Sequence, residues 1–454
     1  MPIELCNTHF INKIIKYGKG YCKMDRRAEK VFKLSWAYRL VFTWVTIIVL
    51  FLIFYLFPIL HIAPSTLLYV ISLFVSVLTI LIIMFSFEVN IDIIFDDPQN
   101  EAAFHNRAFK KDDELVQYYY EEKPIDFLVD GKSFKIPASK VWESDEGSTL
   151  ESFKTVKAEG EFRLPEVFLS NRNRTANIYS HRNKKEFNPY DKICICRFYE
   201  KTISDKDSEF IFYVSEANLI DEYTTIQNPD SDVISVGRPK GKTPRDIFSA
   251  DGKLPNLQMQ TNNRSNDITS IPYRIAMHIV IETSDGYLLL QKRSSTRVAT
   301  SPGEVTSSVG GGMDWSDYRH SKHKGIKHFV YREIREEITL RKSDLFDVKV
   351  KAVIREYRRI GQPVLIIVGK AKKTYYEVIQ RIEISKRYAR SAWLYPYWFI
   401  WSSILGKAGR EYWEMETLIG IKKEEILGLL ADPNVQPPTK VALSIIQKEY
   451  QKKH

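Results

Sequence analysis

The chain has 454 residues, 66 Lys and Arg against 56 Asp and Glu, a net charge of +10 and 44% hydrophobic residues. That length predicts two or three domains, and 27% charged with 13% aromatic residues excludes a disordered chain. A mean hydropathy of -0.26 excludes a polytopic membrane protein. Four cysteines, among them Cys194 and Cys196, are too few for a disulfide framework and have no zinc-type spacing, which points to a reduced compartment.

The average hydropathy hides one extreme stretch. Leu40–Leu60 is 21 residues without a charge, and Pro64–Phe87 adds 24 more. A spanning helix needs about 20 apolar residues to cross about 30 Å of hydrocarbon, so both segments qualify. The connector around His61 is long enough only to turn. Residues 1–39 carry nine Lys/Arg against three Asp/Glu, so the positive-inside rule puts both ends of this hairpin in the cytoplasm of a cell (inner) membrane protein. The expected plan is a basic segment at 1–39, a transmembrane hairpin at 40–87 (helices 40–60 and 64–87), a β-rich cytoplasmic middle region at 88–255 and a chemistry-bearing domain at 271–450.

In the middle region, Asp126–Val129 and Ser133–Ile136 flank an Asp-Gly turn and read as a hairpin. Lys192–Tyr199 and Glu209–Val214 read as a second strand pair. Asn171–Lys185 and Gly237–Arg245 are basic loops, suited either to phosphate or simply to solvent.

Chemistry concentrates between 273 and 340. Tyr273–Glu282 and Tyr287–Arg293 read as strands around an Asp285-Gly286 turn. A glycine cluster, Gly310-Gly311-Gly312, precedes an amphipathic helix over Gly325–Leu340. Helical spacing puts Glu333, Glu336 and Glu337 on neighbouring positions, with Glu337 on the apolar arc, Glu333 beside it, and His328, Arg332 and Arg335 toward solvent. A solvated charged helix is one reading. The other is a cation site, since a glutamate facing a core is costly without a counter-charge, and clustered carboxylates repel one another. A hard divalent cation relieves both, because Mg²⁺ takes carboxylate oxygens and bridges to phosphates.

The passage resembles the Nudix signature, G-x5-E-x7-R-E-U-x-E-E-x-G-U. Arg332-Glu333-Ile334, Glu336-Glu337 and Leu340 match it, and Gly311-Gly312 stands for the opening glycine. Three departures are visible: an insertion of about six residues before Arg332, no glutamate at the isolated acidic position (Asp314 or Asp317 could substitute), and Thr339 in place of the closing glycine. The resemblance implies an α/β/α sandwich with a mixed sheet, Mg²⁺ or Mn²⁺ held by Glu333, Glu336 and Glu337, and attack of water on a nucleoside diphosphate linked to another group. It implies that Arg332 positions a carboxylate. A further carboxylate is expected from Glu356, Glu411, Glu414 or Glu416, and phosphate contacts from Lys292, Arg293, Gly311 and Gly312.

Trp393–Leu405 is thirteen uncharged residues flanked by Lys and Arg, too short to span. It suits a membrane interface, a base pocket, a dimer interface or plain core. Taken together, the order of segments resembles the two-transmembrane Nudix effectors of the bacterial antiphage signalling systems called CBASS. That resemblance implies a homo-oligomer on the lipid bilayer, activated by a cyclic oligonucleotide or dinucleotide from a partner nucleotidyltransferase, with abortive infection as the outcome and no duplex nucleic acid as ligand.

Overall fold

The computed structural model describes residues 110–129, 132–159, 161–169, 172, 175, 191–203, 208–230, 242–249, 252–257, 271–293, 301, 303–320, 325–390 and 415–452. The expected hairpin at 40–87, the aromatic run at 393–405, and Glu411 and Glu414 lie outside them. The chain divides into two units, 1–94 and 95–454, and all described residues belong to the second. Among the described residues no helix is long and apolar enough to cross a membrane.

The strands in chain order are β1 (Pro124–Val129), β2 (Lys132–Thr149), β3 (Phe153–Lys157), β4 (Lys192–Ile203), β5 (Ser208–Asn218), β6 (Ala276–Glu282), β7 (Leu288–Arg293), β8 (Val305–Ser307), β9 (Val309–Gly312), β10 (Leu345–Glu356), β11 (Gln362–Ala371) and β12 (Met415–Ile421). The helices are α1 (Asp112–Tyr118), α2 (Leu219–Thr224), α3 (Pro244–Phe248), α4 (Trp315–His320), α5 (Lys327–Ile338), α6 (Tyr375–Arg390), α7 (Ile426–Ala431) and α8 (Pro437–Gln451).

A large mixed sheet runs β1-β2-β10-β11-β6-β7-β12, with β8 on β7 and β9 on β6. Its β11–β6 pairing is parallel and the others are antiparallel. Strand β6, AMHIVIE, lies between β11 on one side and β7 and β9 on the other, and its central residues are buried on both faces. That is why it reads as a nearly unbroken apolar run rather than an alternating one.

The two faces are covered by different helices. Met277, Ile279 and Ile281 share one core with Phe329, Val330, Ile334 and Ile338 of α5. Val280, Leu288, Leu290 and Ile366 share the other with Val441, Ala442, Ile445 and Ile446 of α8. The result is helix, sheet, helix, the minimal way to bury both faces of a mixed sheet. Pro437 and Pro438 open α8 at its first turn, where a missing N–H costs nothing.

Strands β3, β5 and β4 form a second sheet, with β3 parallel and β4 antiparallel to β5. Phe153, Phe210, Phe212 and Val214 join the same core as α5. The Cys194 N–H donates to Met313 O at 3.0 Å and the Cys196 N–H to Tyr273 O at 2.6 Å, so β4 is stitched directly to the residue after the glycine strand β9 and to the segment ahead of β6. Burial pushes both thiols up, and they are packing residues rather than nucleophiles. Of the first basic loop Arg172 is described, paired with Asp221 at 2.9 Å, and of the second Arg245 is described. It is fully buried, with Nε and Nη2 on the two oxygens of Asp230 at 2.6 and 2.9 Å and Nη1 on the Tyr119 hydroxyl and Tyr357 O.

Candidate active site

Helix α5 lays its carboxylates against the glycine strand β9. A Cβ placed on Gly311 would stand 2.6 Å from the Glu333 carboxyl carbon, so only glycine leaves room for that side chain. Glu333 is accordingly 5% exposed. Glu337 reaches the same strand one residue earlier. Its Oε2 accepts from Gln291 Nε2 at 2.7 Å, and its two oxygens face the Gly310 N–H at 3.3 and 3.4 Å. Gln291, 4% exposed on β7, gives its second hydrogen to Ser308 O at 2.5 Å, which fixes the amide.

Arg332 lies at the centre. Its Nε and Nη2 grip Asp317 at 2.8 and 2.7 Å, Nη2 also reaches Glu333 Oε1 at 2.8 Å, and Nη1 reaches Glu336 Oε2 at 2.7 Å. The side chain is only 19% exposed, so Arg332 does not point to solvent as helical projection alone suggests. The pull of three carboxylates overrides the simple wheel. Burial would favour loss of its proton, but Glu333, Asp317 and Asp314 outweigh that and hold the guanidinium charged. Burial likewise pushes the Asp317 carboxyl up, yet the Arg332 hydrogen bonds win and hold it below the usual carboxylate range.

Of Asp314 and Asp317, Asp317 is the one that hydrogen-bonds Arg332. Asp317 stands six residues after Gly311, in the first turn of α4, and accepts from Nε and Nη2 of Arg332. The insertion therefore falls between Asp317 and Arg332. Asp314 stands farther off, 3.7 Å from Arg332, and instead pairs with Arg274. His328 sets Nδ1 3.0 Å from Asp317 Oδ1.

The other sequence candidates have partners of their own. Lys292 and Glu416 pair with each other at 3.4 Å, both roughly half exposed, across β7 and β12. Arg293 lies on the same strand and donates its N–H to Glu304 O. Glu356 is 2% exposed and accepts from Arg359 at 2.6 Å. Gln291 and Arg274 drew no attention in the sequence. A glutamine on an apolar strand, two strands from a glycine cluster, was the available signal for the first.

The donor chemistry fits a hard divalent cation: carboxylate oxygens from one helix, seated on a strand stripped of side chains at Gly311. Among the described residues no three His, Cys, Asp or Glu side chains converge on one point as a ready cation cage. Arg332 supplies the positive charge between Glu333 and Glu336 instead.

No family model and no curated protein matches the chain. Among solved structures it is similar to DR0079 from Deinococcus radiodurans, at 12% identity over 38% of this chain and 82% of that one, with a TM-score of 0.24. It is also similar to a MutT protein from Methanosarcina mazei Go1, at 16% identity over 40% of this chain and 96% of that one, TM-score 0.25. A third is the Nudix hydrolase RenU from M. smegmatis, at 9% identity over 40% and 88%, TM-score 0.22.

Proposed function

We propose that this chain is a Nudix-type, metal-dependent hydrolase of a nucleoside diphosphate derivative, carried on a membrane hairpin at 40–87 and acting as an effector in a CBASS-like defence. The observation that supports it is the Arg332 clasp: one guanidinium holding Asp317, Glu333 and Glu336 beside a glycine strand, in the strand, glycine, helix order of the signature.

Glu333, Glu336 and Glu337 would hold Mg²⁺ or Mn²⁺. Such an ion, when bound, polarises phosphoryl oxygens and lowers the pKa of its water. The chain's own residues do the positioning. Asp317 fixes Arg332, Arg332 orients Glu333 and Glu336, and Gln291 with the Gly310 N–H orients Glu337. Gly311 keeps the strand low enough for a polyphosphate to approach the carboxylates. On this reading the bilayer carries the hairpin, a cyclic nucleotide from a partner nucleotidyltransferase activates a homo-oligomer, and infected cells die.

A second reading, a nucleotide-binding module without chemistry, is favoured by one observation. The carboxylates are already compensated by Arg332, Gln291 and a backbone N–H. One experiment separates the two. The full chain, purified in detergent, is assayed with ADP-ribose and related diphosphates in Mg²⁺ or Mn²⁺, and co-expressed with nucleotide cyclases while growth is followed. Hydrolysis lost in the Glu336→Gln, Glu337→Gln double variant, together with toxicity in the wild type, supports the hydrolase. Toxicity that survives the double change supports the module. Toxicity with no cyclase at all removes the signal-gated role.

A further inference from the structure

At the rim of this site the middle region contributes a carboxylate that has an incomplete partner set. Glu222, on α2, is 2% exposed. Its Oε1 accepts from Gln227 Nε2 at 2.6 Å, while Oε2 has no hydrogen-bond partner. The cation beside it is Arg274, whose Nη1 stands 3.9 Å from that oxygen, close enough for attraction and too far for a hydrogen bond. A buried carboxylate oxygen left without a donor is expensive, and burial pushes the Glu222 carboxyl up despite Arg274.

Arg274 is otherwise well placed. Its side chain packs on Gly312, where a Cβ would stand 2.4 Å from Nε. Nε donates to Met313 O at 3.2 Å and Nη2 pairs with Asp314, which in turn faces Arg332. The Arg274 side chain is 19% exposed. It is thus a side chain with limited exposure, next to the carboxylate cluster, with Nη1 facing a carboxylate that it does not hydrogen-bond.

We propose that Arg274 is a binding residue for a phosphate-type anion, and that Glu222 is a resident carboxylate which such an anion displaces from it. A phosphoryl oxygen accepts the hydrogen bond from Arg274 Nη1 that Glu222, at 3.9 Å, leaves unmade. Glu222 then gives up Arg274, the stronger of its two cationic neighbours, and keeps Arg359 and Gln227, with Asp314 opposing them, in a setting where burial already favours its neutral form. The middle region thereby sets the anion affinity of the site without touching the anion. This deepens the hydrolase reading, but its test needs no metal and no turnover.

The test is calorimetric titration of the full chain in detergent with inorganic pyrophosphate, EDTA present throughout. Glu222→Gln keeps the Gln227 bond and removes the competing charge, and is expected to tighten binding about tenfold. Arg274→Gln is expected to weaken it by at least about as much, and in that background Glu222→Gln is expected to gain nothing. Should Arg274→Gln not fold, Arg274→Lys keeps the charge but not the fork, and the gain from Glu222→Gln shrinks. Unchanged affinity in Glu222→Gln, a gain that persists without Arg274, or no pyrophosphate uptake by wild type and Glu222→Gln alike overturns the proposal. Loss of hydrolysis with this cycle intact leaves it standing.

Discussion

At the residue scale the site is a charge-balance problem with one solution on view. Asp317, Glu333 and Glu336 surround Arg332, and each of their contacts with it is 2.8 Å or shorter. Arg332→Gln leaves these carboxylates without their cation and is expected to cost about 3 kcal/mol in urea unfolding at neutral pH, the usual result of breaking a largely buried pair. Asp317→Asn removes one arm of the clasp and is expected to cost less, about 1–2 kcal/mol. Because the folded Asp317 carboxyl is held below its ordinary value of 3.8, the wild type's advantage over Asp317→Asn is present above that pH and fades as pH falls through the depressed value. An advantage that grew on acidification would contradict the clasp. Much of this was legible in the sequence. The R-E-x-x-E-E spacing gave Glu333, Glu336, Glu337 and Arg332. The burial ranking was not legible. Helical projection put Glu337 on the apolar arc and Arg332 outside, whereas Glu333 is the carboxylate seated on Gly311 and Arg332 is drawn inward. Periodicity describes a lone helix, and the Gly311 gap and the Asp317 partner are tertiary facts.

At the element scale, α5 shows why a glycine is expected just past its end. Thr339 occupies that position in the left-handed conformation, with φ of 61°, its N–H capping the helix on Arg335 O. A β-branched residue there is strained, so Thr339→Gly is expected to stabilise the fold by about 1 kcal/mol, read as a raised denaturation midpoint with unchanged slope. A lowered midpoint would mean that the Thr339 hydroxyl, which donates to Ile338 O at 2.6 Å, outweighs the strain. The extra residues ahead of Arg332 are ones that no count along the sequence could place. Only the Asp317–Arg332 pair shows on which side of Asp317 the extra residues fall. The strands around the Asp285-Gly286 turn and the helix itself, by contrast, follow from alternation and periodicity alone.

At the scale of the molecule, residues from 110 to 257 and from 271 to 452 share sheet and core. Strands β1 and β2 extend the large sheet through β10, and β4 bonds to Met313 and Tyr273. Sequence reading separated a β-rich middle from the chemistry and found the hairpins of each. Which strands join across the two depends on long-range pairing that local signals do not carry. Burial in this joint core also shapes the acid response. His278, between β9 and β11, sets Nδ1 3.0 Å from Ser307 Oγ, and burial first, then Arg359 and Arg293, pushes its pKa down to about 3. The unfolded chain takes up that proton near pH 6.5 and the folded one does not, so stability falls from about pH 6.5 toward 3. His278→Gln is expected to flatten the acid limb of a pH–stability profile over that window. An unchanged limb would show that His278 is protonated in the fold.

The account depends above all on the α5 carboxylates taking a divalent ion beside a phosphate chain. The direct measurement is Mn²⁺ binding to the full chain in detergent, followed by electron paramagnetic resonance as free Mn²⁺ disappears, with and without pyrophosphate. The account predicts saturable uptake, strengthened by pyrophosphate and abolished in the Glu333→Gln, Glu336→Gln, Glu337→Gln variant. Uptake that is absent, or equal in wild type and triple variant, would contradict it.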